Sequence, residues 1–135
     1  MPKPPMETVR VNKRGRDQLI KLKRQTRIEN WNTLCRWALC VSIKDLNQPP
    51  PFDEKMEGGV EMSWKVFSGD YSELFVAILI WRCQTDGIEI SAENLSHCFR
   101  IHVHRGLDYL SAGMGKETLV SFARRWLVTT PSIDS

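Results

Sequence analysis

The chain has 135 residues, 41 % hydrophobic and 26 % charged, which fits one ordinary domain with a core large enough to stand without disulfide staples. Nine basic side chains face only Glu7 and Asp17 in the first 27 residues, a local charge of +7, while the remainder carries ten basic and fourteen acidic residues, or −4. The net +3 therefore hides a polarised molecule, and its longest apolar run, Leu74 to Trp81, falls far short of the ~20 residues that a membrane helix needs.

Residues 1–6 contain Pro2, Pro4 and Pro5 and are expected to be disordered; they do not read as a signal peptide, which points to the cytoplasm. Thr8 to Asn12 alternates, with Val9 and Val11 on one face and Thr8, Arg10 and Asn12 on the other, the pattern of one short strand. A strand needs a partner for its backbone, and none offers itself in the next 40 residues, so the expected partner is the same strand of a second subunit. A helix follows from Lys13 to about Thr26, with Leu19 and Leu22 as a narrow apolar stripe and Arg14, Gln18, Lys21 and Arg24 opposite. A second helix starts at Asn30 or Asn32, both good N-caps, and runs to about Ser42. Its apolar residues, among them Trp31, Leu34, Cys35, Ala38 and Leu39, place it centrally in the core.

Residues 44–68 read as an acidic, proline- and glycine-containing connection with Asp53, Glu54 and Glu57, and a short strand within 60–67. The third long helix spans about Tyr71 to Thr85, stopped by Asp86-Gly87; its Leu-Phe-Val-Ala-Ile-Leu-Ile-Trp run is apolar all round and predicts a buried helix. Ser91 caps a fourth helix to about Ala112, whose stripe includes Leu95, Phe99, Val103 and Leu110. Gly106 in its middle costs about 1 kcal/mol against Ala, which predicts a close helix crossing there. A last helix is expected over 116–126, and a frayed tail over 129–135.

Little in the chain reads as catalysis. At 3.6 residues per turn His97 and His102 lie about 140° apart on their helix, and His102 and His104 about 160°, so they do not converge. Cys98 and His102 share a face, but two ligands without a third make no metal site, and no cofactor loop or metal set is expected. His102 is read instead as a helix–helix hydrogen-bonding residue near Gly106. No two of Cys35, Cys40, Cys83 and Cys98 form a C-x-x-C pair, so reduced, buried thiols are expected. Arg36 and Arg105, set among apolar residues, are expected to pair with carboxylates rather than phosphates. Apolar residues on several sides of the second and third helices suggest a homo-oligomer interface.

A short strand and two helices with basic residues along the strand and first helix make a ribbon-helix-helix-like unit, over residues 7–43, in which paired strands enter a DNA groove. The whole reads as one mainly α domain, residues 7–128, with two or three further helices over 69–128. Charge alone leaves open whether the basic end grips DNA or is a solvated helix face.

The sequence also resembles the DndE family of DNA sulfur modification proteins. The resemblance is carried by Val9-Arg10-Val11, Leu19-x-x-Leu22-Lys23-x-x-Thr26 and Leu34-Cys35-Arg36-x-Ala38-Leu39. It continues through Phe67-x-Gly69-x-Tyr71 with Leu74-Phe75, then Cys83-x-x-Asp86-Gly87, and Phe99-x-x-His102-x-x-Arg105-Gly106-x-x-x-Leu110. The chain departs from the family pattern in residues 113–135, which are longer and more aromatic, and at Arg27, where the pattern has a glycine-like position. The resemblance implies a non-catalytic accessory subunit that binds double-stranded or nicked DNA while sulfurtransferase (DndC) and ATPase (DndD) subunits act on a backbone phosphate, and it implies a homotetramer. The DNA-binding residues expected on this reading are Arg10, Lys13, Arg14, Arg16, Lys21, Lys23, Arg24 and Arg27. The alternatives are a ribbon-helix-helix transcriptional regulator reading bases through Thr8, Arg10 and Asn12, and a DNA nickase.

Overall fold

The computed structural model describes residues 4–113. Strand β1 (Thr8–Val11) leads into α1 (Lys13–Thr26) and α2 (Trp31–Lys44); β2 (Val60–Ser63) runs into the short α3 (Trp64–Ser68) and a 3₁₀ turn (Gly69–Tyr71); α4 (Ser72–Thr85) and α5 (Ala92–Ser111) complete the described chain. The mainly α class holds, with the strand and first two helices in the expected order. The expected 116–126 helix and 129–135 tail lie outside the described residues, as do residues 1–3.

Local chemistry sets these boundaries. Asn12 Oδ1 accepts from the Gly15 N–H at 2.8 Å and opens α1. Arg27 closes it in the left-handed region (φ 63°), its N–H bonded to the Lys23 carbonyl. Asn30 occupies the N-cap position of α2 without a side-chain bond; Asn32 lies inside the helix and donates instead to the Val66 carbonyl at 2.9 Å. Gly87 (φ 71°) follows α4 at the expected Asp86-Gly87 stop, and Ser91 accepts from the Asn94 N–H to open α5.

The expected strand partner is corrected. β1 pairs antiparallel with β2 of the same chain, with Val9 opposite Met62 and Arg10 opposite Glu61. The loop after α2 carries β2 back to β1 from beyond the 40 residues that follow it. Its sequence signal is weak because its inward residues, Val60 and Met62, are only half-buried. The strand is also shorter than 60–67, because Ser63 Oγ accepts from Val66 N–H and starts α3. Disorder is not what residues 4–6 show: Pro5 is buried and Met6 packs on the core.

α5 is the spine, packed against α2, α1 and α4. A Cβ on Gly106 would sit 1.8 Å from the Ala38 carbonyl oxygen, so the α2–α5 crossing admits only glycine there. Beside it, His102 Nδ1 lies 2.7 Å from Ser42 Oγ, the helix–helix bond expected of this histidine. Arg105 Nε donates to the same Ser42 Oγ at 2.8 Å, so one hydroxyl ties α2 to two side chains of α5. Trp64, Phe67, Phe75 and Phe99 form an aromatic cluster with ring centroids 4.8–5.7 Å apart.

Arg105 has a carboxylate partner, Asp45, at 3.8 Å, yet most of its bonds go to the carbonyls of Ser42, Asp45 and Asn47. Arg82, fully buried and not singled out by the sequence, donates to the Ile43, Asp45 and Asn47 carbonyls and pairs with Asp86 at 2.8 Å. Together the two guanidiniums satisfy the carbonyls left open where α2 ends. Arg36 donates to the Phe67 carbonyl and ties α2 to α3; no carboxylate pairs with it among the described residues. α4 is buried on one side only: Leu74, Ala77 and Trp81 are exposed. The all-round apolar run thus marks a face that the described residues leave uncovered.

Candidate nucleic-acid interface

α1 lies on the surface with Gly15, Leu19 and Leu22 inward and Gln18 and Thr26 half-buried, so most of its remaining circumference faces solvent. All eight expected DNA-binding residues are exposed, and they fall into two sets.

The first set is already engaged by the body of the domain. Arg10 pairs with Glu61 at 3.2 Å across the β1–β2 ladder, and Arg14 pairs with Asp108 of α5 at 3.1 Å. Gln18 donates to the same Asp108 oxygen at 2.6 Å. Lys21, on that flank, reaches the Ser111 carbonyl at 3.4 Å. The two exposed ion pairs stabilise little, but each places a carboxylate beside a cation.

The second set is unengaged. The side chains of Lys13, Arg16, Lys23, Arg24 and Arg27 have no hydrogen-bond or ion-pair partner among the described residues. Lys23, Arg24 and Arg27 gather with Ile20 and Glu29 around an open bay of about 400 Å³ at the C-terminal end of α1. Cations there also suit the negative end of the helix dipole. Arg27 is the one described non-glycine residue with positive φ. That conformation costs an L-residue roughly 1–2 kcal/mol relative to right-handed backbone.

Asn12 is not free to touch a base. It is 4 % exposed; its N–H donates to His104 Nε2 at 3.1 Å and its amide to the Asp53 carbonyl at 2.8 Å, while its oxygen caps α1. Alternation places Asn12 on the outer face of β1 only if it is carried one residue past the strand; the N-cap signal, a polar residue directly before Lys13, is the better guide.

The histidines are occupied. Burial, with Arg82 and Arg105 close by, pulls His102 down to about 3. His104 is likewise lowered by burial; it stacks on Phe52 and bonds the Arg100 carbonyl through Nδ1. Burial raises the Cys35 and Cys98 thiols to about 12. Cys83 is also buried, but Cys40 is exposed, against the expectation that the thiols are buried.

A model of the family described as DNA sulphur modification protein DndE matches residues 8–117. The fold is similar to the crystal structure of DndE from Escherichia coli B7A, a protein involved in DNA phosphorothioation modification, with a TM-score of 0.64 and 20 % identity over 78 % of this chain and 96 % of that one. No curated protein matches the sequence. No helix among the described residues is long and apolar enough to cross a membrane.

Proposed function

The chain belongs to the DndE family of DNA sulphur modification proteins, and from that premise we propose that it is a cytoplasmic, non-catalytic accessory subunit that grips the backbone of duplex or nicked DNA. The observation that carries this reading is the unengaged cationic set on α1. Five cations without acidic partners among the described residues stand on one surface helix and its C-cap, and the one at the cap, Arg27, is held in a backbone conformation that glycine would adopt without cost. Lys and Arg on phosphates supply sequence-independent affinity, with displaced counterions driving binding. A 14-residue helix is about 21 Å long, and duplex DNA offers one charge per roughly 1.7 Å of axis, so five contacts fit along it.

The subunit contributes position. It holds the duplex while sulfurtransferase and ATPase subunits reach a phosphate, and orientation of that kind lowers a barrier without chemistry in the holder. A homo-oligomer, a tetramer on the family resemblance, repeats the grip along the DNA. The regulator alternative loses one of its three base-reading residues, since Asn12 is a buried cap.

The test is duplex binding by the double variant Lys23→Glu, Arg24→Glu, with helix content followed by circular dichroism. The reading requires a loss of at least about tenfold, the equivalent of 1.4 kcal/mol, at unchanged helicity. Equal binding by the variant would refute it.

A further inference from the structure

We propose that the cationic bay at the C-terminal end of α1 holds a phosphorothioate diester of DNA, with the Ile20 side chain against its sulfur. The proposal rests on the reading that α1 grips the DNA backbone, and adds to it a preference for modified over unmodified linkages. Sulphur-modified DNA is the product of the family's system, so the bay would retain product.

Ile20 is the one large apolar side chain that α1 exposes; Leu19 and Leu22 are fully buried. Among the described residues it belongs neither to the core nor to the layer packed upon the core. Helix propensity does not call for it, since a β-branched residue is a poorer helix former than lysine, arginine or glutamine. Its surroundings are cationic. Lys23, Arg24 and Arg27 follow it at i+3, i+4 and i+7, and Arg16 precedes it by one turn, so all share a side of the helix. Ile20, Lys23, Arg24, Arg27 and Glu29 line the bay of about 400 Å³. Three cations against one carboxylate leave a net charge of +2 there, which suits a singly charged diester.

A grip made by charge alone has no use for an apolar side chain amid its cations, because phosphate oxygens accept hydrogen bonds and isoleucine offers none. Sulfur changes that balance. In a phosphorothioate diester one non-bridging oxygen is replaced by a larger, more polarisable atom that accepts hydrogen bonds weakly and is poorly hydrated. Such an atom gains by leaving water for an apolar neighbour, while the remaining oxygen still needs a donor. Guanidinium suits this mixed group, since it is less strongly hydrated than an ammonium and donates through a flat fork. The bay offers both kinds of neighbour side by side: Ile20 for the sulfur, and Arg24 and Arg27 for the charge and the oxygen. Only one non-bridging position can face Ile20 while the other faces the arginines, so the preference depends on the configuration at phosphorus.

The test uses the full chain and short duplexes of one sequence. One strand is either unmodified or carries phosphorothioates of a single configuration, Rp or Sp, at every linkage. Burying a sulfur of about methylene size should tighten binding of one diastereomer roughly fourfold over the phosphate duplex, read by competition anisotropy at fixed salt. In Ile20→Gln, which is polar and a good helix former, the ratio of the two affinities should fall to about one. In Ile20→Leu it should persist. Equal affinity of the unsubstituted chain for the phosphate duplex and both phosphorothioate duplexes overturns the proposal. So does a preference that survives Ile20→Gln, which would then belong to the general adhesiveness of sulfur-bearing DNA. Either outcome leaves the grip itself standing. Loss of the grip has a different signature: binding of the unmodified duplex that Lys23→Glu, Arg24→Glu leaves unchanged removes both the grip and this inference.

Discussion

Substituting Arg27 separates the cost of its backbone from the use of its charge. Arg27→Gly removes one of five unengaged cations and relieves the left-handed backbone at φ 63°. Each phosphate neutralised on duplex DNA contributes about −0.9 to the slope of log K against log salt, so five give roughly −4.5 and four roughly −3.6. Between 50 and 200 mM salt the wild-type affinity should then fall about 500-fold and that of the variant about 150-fold. Folding stability should move the other way, rising by about 1 kcal/mol, less some added freedom of the unfolded chain. Fluorescence anisotropy on a labelled duplex over a salt series reads the first quantity, and urea denaturation the second. The double neutral variant Arg10→Gln, Glu61→Gln is the control: both partners of an exposed pair vanish together, so the slope should hold. A wild-type slope shallower than about −2, or an Arg27→Gly slope indistinguishable from wild type, refutes the counting of unengaged cations.

Gly106→Ala should lower the melting temperature despite the better helix propensity of alanine, because the new methyl meets the Ala38 carbonyl and overpacking costs about 1–3 kcal/mol; a melting temperature at or above wild type would contradict the crossing. His102 is neutral when folded, with a value near 3, but takes a proton near 6.5 when unfolded. Stability from this group is therefore present above about pH 6.5 and is lost as pH falls towards 3, at up to about 1.4 kcal/mol per unit. His102→Gln, which can still hydrogen-bond Ser42, should flatten the slope between about pH 6 and 4, and identical slopes in both proteins would exclude His102 as its source. Light scattering at micromolar concentration should return an oligomer mass, and a monomer mass alone would remove self-association from the functional proposal.

The helices were legible because each carries its period and its stops. Asp86-Gly87 stops α4, Ser91 opens α5, and Gly106 announced the close crossing with α2, whereas Asn12 was read as a strand residue and not as the cap of α1. The strand partner was not legible, since Val60 and Met62 are half-buried and a four-residue strand has almost no pattern. In the cationic site, the sequence showed which residues are basic but not which are already paired. Arg10 meets Glu61 and Arg14 meets Asp108 across 51 and 94 residues, contacts that no local spacing encodes. Arg82 could have been noticed, for Asp86 lies four residues on; its remaining partners are loop carbonyls, which carry no side-chain signature.

The same contacts that remove Arg10 and Arg14 from the unengaged set hold the rest of it in place. α1 is fixed at its start by Asn12, which is bound in turn by His104 of α5 and the Asp53 carbonyl. Along one flank it is held by Asp108, which receives both Arg14 and Gln18. Beneath it, Leu19 and Leu22 are fully buried in the core. α5 is itself locked to α2 through the Gly106 crossing and the Ser42–His102–Arg105 cluster. The opposite flank and the outer face, where Arg16, Lys23 and Arg24 stand, are therefore carried on a helix held at its start, along one flank and from beneath. Long cationic side chains still lose rotamer freedom on binding, but the helix that presents them is ordered in advance, which lowers the cost of association. A grip that must keep a phosphate in reach of other subunits needs that rigidity more than it needs further charge. Two kinds of variant are thereby distinguished. Asp108→Ala frees Arg14 and adds a net positive charge, yet it loosens the flank of α1; if position matters as proposed, phosphorothioate formation in cells should fall even as duplex affinity rises. Modification that instead tracks affinity would assign the subunit a purely electrostatic role.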